Sequence, residues 1–345
     1  MFAFGVTTAV TLVGVLSTPQ PYASAAVRRT ADLHRSVATK SLNLSGVTLT
    51  FGDQLKEYQT IFQATDALKG AAYTVNWSDF VGGPPIIAAE TGGSVDLGDM
   101  AETPTIFAEA AGDPVKVVAV TVGSNPKKSP YDIVVPSHSS ITSVSQLRGK
   151  SVAVQEGTVY QYVLAQALKK ANIPYSAVTI ENLTYTNAST AVANGKVDAA
   201  VIGQPLTALD QQSGQIRVLE TGAGIAPVFG YLTASQSALD NPKEAAAISD
   251  FIARFYKASA LLKKDPLLAA ETYVKTFGVP LAVAKVAVAS DQGVASPITS
   301  AVISYEQNEA NTFYKLGLIT KQVNVKSLFD LPFNKVVTKA AGITS

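Results

Sequence analysis

Two short loops hold the residues best suited to chemistry. One reads Gly98-Asp99-Met100-Ala101-Glu102-Thr103-Pro104, the other Gln155-Glu156-Gly157-Thr158. Each runs into a stretch with helical periodicity. Thr103 suits an N-cap, with Pro104 preset for the first helical turn. Gly157 permits close backbone approach, and Thr158 can cap the helix that Val159 and Tyr160 begin. Helix starts present unpaired N–H groups and partial positive charge, which suit an oxyanion without any Arg or Lys. Capped starts occur in every α/β protein, and most hold no ligand; these two gain weight if they face one another from separate lobes. Asp99 and Glu102 could act as paired carboxylates, although their spacing at a helix start also serves ordinary capping.

Two further loops follow strand-like runs: Gly52-Asp53-Gln54 and Gly203-Gln204-Pro205. In open parallel sheets, ligands sit beyond the carboxyl ends of the strands, where all four loops would lie. The elements positioning them alternate. Residues 47–51, 73–79, 95–98 and 117–121 read as strands, with helical stretches at 57–68 and about 85–90 between the first three. The grammar restarts near Ser151: strands at 151–155, 178–183 and 197–202, helices at 159–171 and 189–193. This β-α-β-α-β order is that of a parallel sheet. The two units end alike, in Gly93-Ser-Val-Asp96-Leu-Gly98 and Gly195-Lys-Val-Asp198-Ala-Ala200. After Pro242 the chain reads as helical, over 243–262, 266–277, 280–289 and 297–316, with Pro at or near the starts.

Composition removes most enzymology. The 345 residues contain no cysteine, which excludes disulfides, iron–sulfur clusters and thiol nucleophiles. Only His34 and His138 are available for imidazole chemistry, and His138 sits in the polar loop Pro136-Ser-His138-Ser-Ser140. No Gly-x-Ser-x-Gly or phosphate-loop motif is present, and no nucleophile–base pair stands out. Neither a catalytic residue, a metal nor a cofactor is therefore expected. Net charge is +1, from 27 basic and 26 acidic side chains, which gives no reason to expect nucleic acid. A hydrophobic fraction of 47% against 15% charged residues excludes wholesale disorder, and the length suggests about two domains.

Residues 2–16 are apolar, no charge precedes Arg28, and Ala23-Ser-Ala25 is a small-residue cleavage pattern. Residues 1–25 are read as a secretory signal peptide and 26–43 as a flexible lead-in. The apolar run is shorter than the ~20 residues of a spanning helix. Without cysteine no lipid-modified N-terminus can form, so a periplasmic or secreted protein is expected.

Several motifs resemble the substrate-binding proteins of aliphatic sulfonate, taurine and nitrate ABC importers, with the aliphatic sulfonate branch nearest. They are Gly93-Ser-Val-Asp-Leu-Gly98 followed by residues 103–112, then Ile141-Thr-Ser-Val-Ser-Gln-Leu-Arg-Gly-Lys150 running on to Thr158. Asn194-Gly-Lys-Val-Asp-Ala-Ala200, Leu316-Gly-Leu-Ile319 and Val323-Asn-Val325 complete the series. The resemblance covers residues 47–330. It implies an α/β type II periplasmic-binding-protein fold, with two lobes, a mostly parallel sheet in each, and a two-crossing hinge near residues 131–135 and 229–232. Lobe 1 would hold residues 44–132 and 230–345, lobe 2 residues 133–229. Carried over by position, the ligand site would involve Gln54, Asp99, Met100, Glu102, Gln155, Gly157, Thr158, Val159, Tyr160 and Gln204. Backbone N–H groups at Thr158 to Tyr160 would cradle the oxyanion. The implied partners are a small organosulfonate and a membrane permease with its cytoplasmic ATPase.

The chain departs from that pattern in two ways. Ile202-Gly203-Gln204-Pro205 lacks the Trp and acidic residue often found before this Pro. Asp99 and Met100 stand where small hydroxyl residues are common. Asp53, Asp99, Glu102 and Glu156 also make the rim acidic, and an unpaired carboxylate beside a sulfonate is costly. Either these side chains point away, or the ligand also carries a cation, as taurine does, or it is a neutral or cationic molecule such as a pyrimidine or thiamine precursor. A same-fold enzyme and the sensing domain of a regulator are the other classes considered. The first lacks a Cys or a well-placed His, and the second lacks an appended DNA-binding or membrane segment.

Overall fold

The structure is a computed structural model describing residues 42–290 and 293–343; the expected leader and nearly all of the lead-in lie outside the described residues. The chain begins β1 (Thr48–Gln54), α1 (Glu57–Ala64), β2 (Thr74–Phe80), α2 (Gly83–Thr91), β3 (Leu97–Met100), α3 (Thr103–Ala111) and β4 (Val115–Gly123). It continues β5 (Tyr131–Pro136), β6 (Ser151–Val154), α4 (Val159–Lys170), β7 (Thr179–Asn182), α5 (Tyr185–Ala193), β8 (Ala199–Gly203), α6 (Leu206–Gln212) and β9 (Ile216–Thr221). Then come β10 (Phe229–Ser235), α7 (Gln236–Asp240), α8 (Pro242–Lys264), α9 (Pro266–Phe277), α10 (Leu281–Ser290), β11 (Gly293–Ser296), α11 (Ser300–Lys315) and α12 (Asn334–Ala341).

These strands form a six-stranded sheet, ordered β11-β4-β10-β3-β1-β2, and a five-stranded one, β7-β6-β8-β5-β9. Both βαβαβ units are present and parallel, but each sheet as a whole is mixed. In the first, β10 runs antiparallel to β3 and β4, and β11 antiparallel to β4; in the second, β5 is antiparallel to β8 and β9. The reason is the path of the chain. It leaves the first sheet after β4, enters the second at β5, and returns from β9 to β10. The residues expected at the crossings thus lie within β5 and β10. β11 interrupts a region read as wholly helical, and α12 extends it.

The repeated Gly-x-Val-Asp ending has a physical reason. Asp96 Oδ2 accepts the Thr50 N–H at 2.8 Å, and Asp198 Oδ2 accepts the Ser151 N–H at 2.9 Å. In return the Asp96 and Asp198 N–H groups donate to the Thr50 and Ser151 carbonyls. Each Asp pins the last strand of its unit to the first. Helix limits also follow local chemistry. α1 stops at Ala64, short of the expected 68, because Asp66 takes a left-handed φ of 50°. α5 starts four residues before the expected 189, with the Thr184 hydroxyl accepting the Asn187 N–H.

Packing then ties the sheets together. On the first sheet, α8 lays Phe251 over Phe51 and Phe62, with ring centroids 5.0 and 4.7 Å apart. Between the sheets one apolar core is continuous, from Ile106, Val117 and Val120 to Ile133, Val152 and Val163. At its centre Phe313 of α11 meets Phe107 of α3 at 5.1 Å and Tyr162 of α4 at 5.9 Å. A smaller cluster packs Ala208 of α6 against Ala270, Val283 and Ala284 of α9 and α10.

That central core also encloses three carboxyl groups: Glu102, Glu306 and Glu309 are wholly buried. Glu306 accepts the Thr105 hydroxyl at 2.7 Å and the Tyr231 hydroxyl at 3.0 Å, while Glu309 accepts the Thr103 hydroxyl. Burial holds all three pKa values above the ordinary glutamate range, Glu306 at about 8. Protonated acids are the forms this core stabilises. Between the ordinary value of 4.5 and about 8, the folded chain therefore holds a proton on Glu306 that the unfolded chain has released. Stability must fall as pH rises through that window, at up to ~1.4 kcal/mol per pH unit from this one group. Unfolding followed from pH 5 to pH 8 should show that decline. Glu306→Gln, neutral throughout, should make the decline shallower by that one group's share, the other buried acids with raised pKa values keeping the rest; an unchanged slope would mean that Glu306 ionises normally in the fold.

Candidate functional site

Because β1, β3, β6 and β8 end toward the same space, the loops after them enclose a cavity of about 310 Å³. Seven of the ten expected residues line it: Gln54, Asp99, Met100, Thr158, Val159, Tyr160 and Gln204. Glu102, Gln155 and Gly157 are not among the lining residues. Glu102 turns into the core instead. Gln155 bridges the two sheets, donating from Nε2 to the Val81 carbonyl at 3.3 Å and accepting the Tyr185 N–H at 3.3 Å. Its amide fills the space where a Cβ on Gly82 would sit, at 2.6 Å, and Gly82 also has a φ of 88°. Gly157 sits behind the wall with a φ of 70°, its N–H donating to Gln161 Oε1 at 2.9 Å.

Two helix starts reach the cavity with N–H groups free. Thr158 occupies the N-cap position of α4, yet its hydroxyl turns back to the Gln155 carbonyl at 2.7 Å rather than capping. The first-turn N–H groups of Val159 and Tyr160 have no helical acceptor, and both residues line the cavity. Gly83 begins α2 opposite them, followed by Pro84 and Pro85, which have no N–H to satisfy. By contrast, Thr103 does not cap α3; Glu102 holds the N-cap position, and the Thr103 hydroxyl goes to Glu309.

The acidic rim largely resolves into structural bonds. Asp53 is buried and accepts the Tyr58 and Gln59 N–H groups at 2.9 and 2.8 Å, closing the start of α1. Burial still outweighs those bonds and lifts its pKa to about 6. Asp99 accepts both the backbone N–H and Nε2 of Gln54, at 3.0 and 3.1 Å. Desolvation, then the charges of Asp53 and Glu57, hold its carboxyl well above the usual range. Glu156 is exposed and takes the Asn182 amide at 3.1 Å.

Sequence reasoning missed one carboxylate and, Tyr160 apart, the aromatic wall. Tyr131, Tyr160, Tyr185 and Tyr273 all line the cavity. Tyr160 stacks on Tyr185 at 5.6 Å and meets Tyr131 edge-on at 5.5 Å. Its hydroxyl lies 2.8 Å from where a Cβ on Gly203 would be, so the Tyr160 ring covers the end of β8. Glu57, the first residue of α1, also faces the cavity. The available signal was its position, three residues beyond Gln54. Among the lining residues there is no Lys, Arg or His; His138 is exposed and lies elsewhere.

Comparison with known proteins gives the same picture. Residues 85–261 match the family described as NMT1/THI5 like. An Escherichia coli (strain K12) protein named for binding aliphatic sulfonates is 30% identical over 253 residues, 73% of this chain and 78% of its own length. The alkanesulfonate-binding protein SsuA from Xanthomonas axonopodis pv. citri, solved bound to MOPS, is similar with a TM-score of 0.76 and 27% identity, over 83% of this chain and 98% of that one. The periplasmic aliphatic sulphonate binding protein SsuA from Escherichia coli gives 0.71 and 27%, over 82% and 92%. With two mixed sheets, cleft-facing helix starts and these likenesses, the chain belongs to the NMT1/THI5-like family, in the branch of the aliphatic sulfonate-binding proteins.

Proposed function

We propose that the protein is the extracytoplasmic substrate-binding component of an ABC importer, which captures a small organosulfonate and delivers it to a membrane permease with its cytoplasmic ATPase. The observation that carries this reading is the pairing of free helix-start N–H groups, at Gly83 and at Val159–Tyr160, on one cavity with no basic side chain among its described lining residues. A sulfonate has three oxygens and a permanent negative charge, and backbone donors of this kind hold such a group without a counter-cation. The names of the relatives support the same ligand class and an extracytoplasmic address. Residues 1–25 would then be the secretory leader, cleaved near Ala25.

In this reading residues 44–132 with 230–345 form one lobe and 133–229 the other, and the cavity is the closed cleft between them. Gln54, Asp99, Met100, Thr158, Val159, Tyr160 and Gln204 contact the ligand; Gln155 and Gly157 shape the wall, and Glu102 is turned into the core behind the loop. Binding without conversion is the activity that the names of the relatives carry.

Thermal unfolding against a series of alkanesulfonates, taurine, sulfate, nitrate and a thiamine-type pyrimidine tests the ligand class. A sulfonate at ~100 times its Kd should add about 2.7 kcal/mol and raise Tm by several degrees. Response to the pyrimidine alone would overturn the reading. The oxyanion cradle has its own test. Proline fits the first helical position and removes its N–H, and Thr158 before it already has extended backbone, with ψ at 166°. Val159→Pro should weaken sulfonate binding by about ten-fold or more while the ligand-free Tm moves by only a few degrees. Unchanged affinity would remove α4 from the site.

A further inference from the structure

Glu57 is the lining residue whose chemistry the sulfonate reading leaves unused. Glu57 is half-buried, and its carboxylate has no hydrogen-bond or ion-pair partner among the described residues, although it lines a cavity proposed to take an anion. The start of its own helix gives it nothing, because the Tyr58 and Gln59 N–H groups are committed to Asp53. Asp99, the other lining carboxyl, is held by Gln54. Glu57 thus remains the lining acid without a partner. Tyr160, Tyr185 and Tyr273 line the same cavity as Glu57. Burial first, and Asp53 second, push its own pKa up to about 7.

A carboxylate left in this state is a receptor for positive charge. An ammonium would relieve both its desolvation and its repulsion from Asp53, and tyrosine faces add cation–π attraction. We infer that Glu57 is a specificity-determining residue that receives a cationic amine on the ligand, so that the site selects zwitterionic aminosulfonates over plain alkanesulfonates. This rests on the sulfonate reading above: the oxyanion sits at the starts of α2 and α4, and the amine at the start of α1.

Matched pairs test it: 2-aminoethanesulfonate against ethanesulfonate, and 3-aminopropanesulfonate against 1-propanesulfonate, by calorimetry in phosphate buffer on the whole protein. At least one aminosulfonate should bind ten-fold or more tighter than its plain partner. Glu57→Gln should reverse the order in both directions at once, weakening the aminosulfonate about ten-fold and tightening the plain anion, since it removes an attraction and a repulsion together. A purely structural role for Glu57 would weaken both. Glu57→Ala provides the same comparison should the glutamine variant be poorly folded. Equal or inverted preference in the wild type would overturn the inference and leave the sulfonate reading standing. Binding of neither member of either pair would overturn both.

Discussion

Two sheets that share no strand have to be held in one register, or the loops at their strand ends cannot meet. The contact that does this is the aromatic junction of Phe107, Tyr162 and Phe313, at the centre of a core that runs unbroken from one sheet into the other. Phe107 belongs to the helix that follows β3, Tyr162 to the helix that follows β6, and Phe313 to α11. Fixing those rings therefore fixes the cavity-side ends of α3 and α4 relative to each other. Interior packing of this density tolerates little displacement, which holds the start of α4 in place against α3. Two of the three buried glutamates in the same junction, Glu306 and Glu309, add hydroxyl-to-carboxyl bonds across α3, α11 and β10.

In the cleft, the carboxyl groups expected on the rim are tied to local donors or turned away rather than left bare. Asp53 closes the first turn of α1, Asp99 is clamped by Gln54, Glu102 faces the core, and Glu156 faces solvent with Asn182. Each position looked acidic and hostile to a sulfonate in one dimension. In three dimensions, local donors or the direction of the side chain neutralise the conflict. The cost of these arrangements shows as raised pKa values at Asp53, Asp99 and Glu102, where burial outweighs the hydrogen bonds that oppose it.

Much of this was legible in the sequence, for identifiable reasons. Strand–loop–helix grammar located β1, β3, β6 and β8 and hence the four loops, because parallel units repeat a strong periodic signal. The Gly-x-Val-Asp ending identified two equivalent units, since an Asp side chain that bonds the neighbouring strand is needed once in each. Less legible were β11, with four residues, and the antiparallel placing of β5 and β10. Short strands carry little alternation, and pairing direction depends on where the chain re-enters a sheet. The caps misled: Thr103 and Thr158 have the right type and position, but Thr103 bonds Glu309 across 206 residues of sequence and Thr158 bonds back to Gln155. No local pattern encodes such a competitor.

Glu57 and Glu102 show why residue type alone could not assign the cleft. Both begin or precede a helix, and both follow a cleft-facing strand end within a few residues. Glu102 is drawn inward because α3 packs on α11, where Thr103 and Thr105 already bond the neighbouring glutamates, and a neutral acid is stable in that setting. Glu57 makes no such bond: Asp53 takes the first-turn N–H groups of α1, and Glu57 lines the cavity together with Tyr58 and Phe255, whose rings stack at 4.6 Å. Its side chain is left to the cavity. The cleft therefore has a donor-rich end built from backbone and an acceptor end built from one carboxylate and tyrosine rings. An anion alone satisfies only the first, and a ligand carrying both charges satisfies the two together.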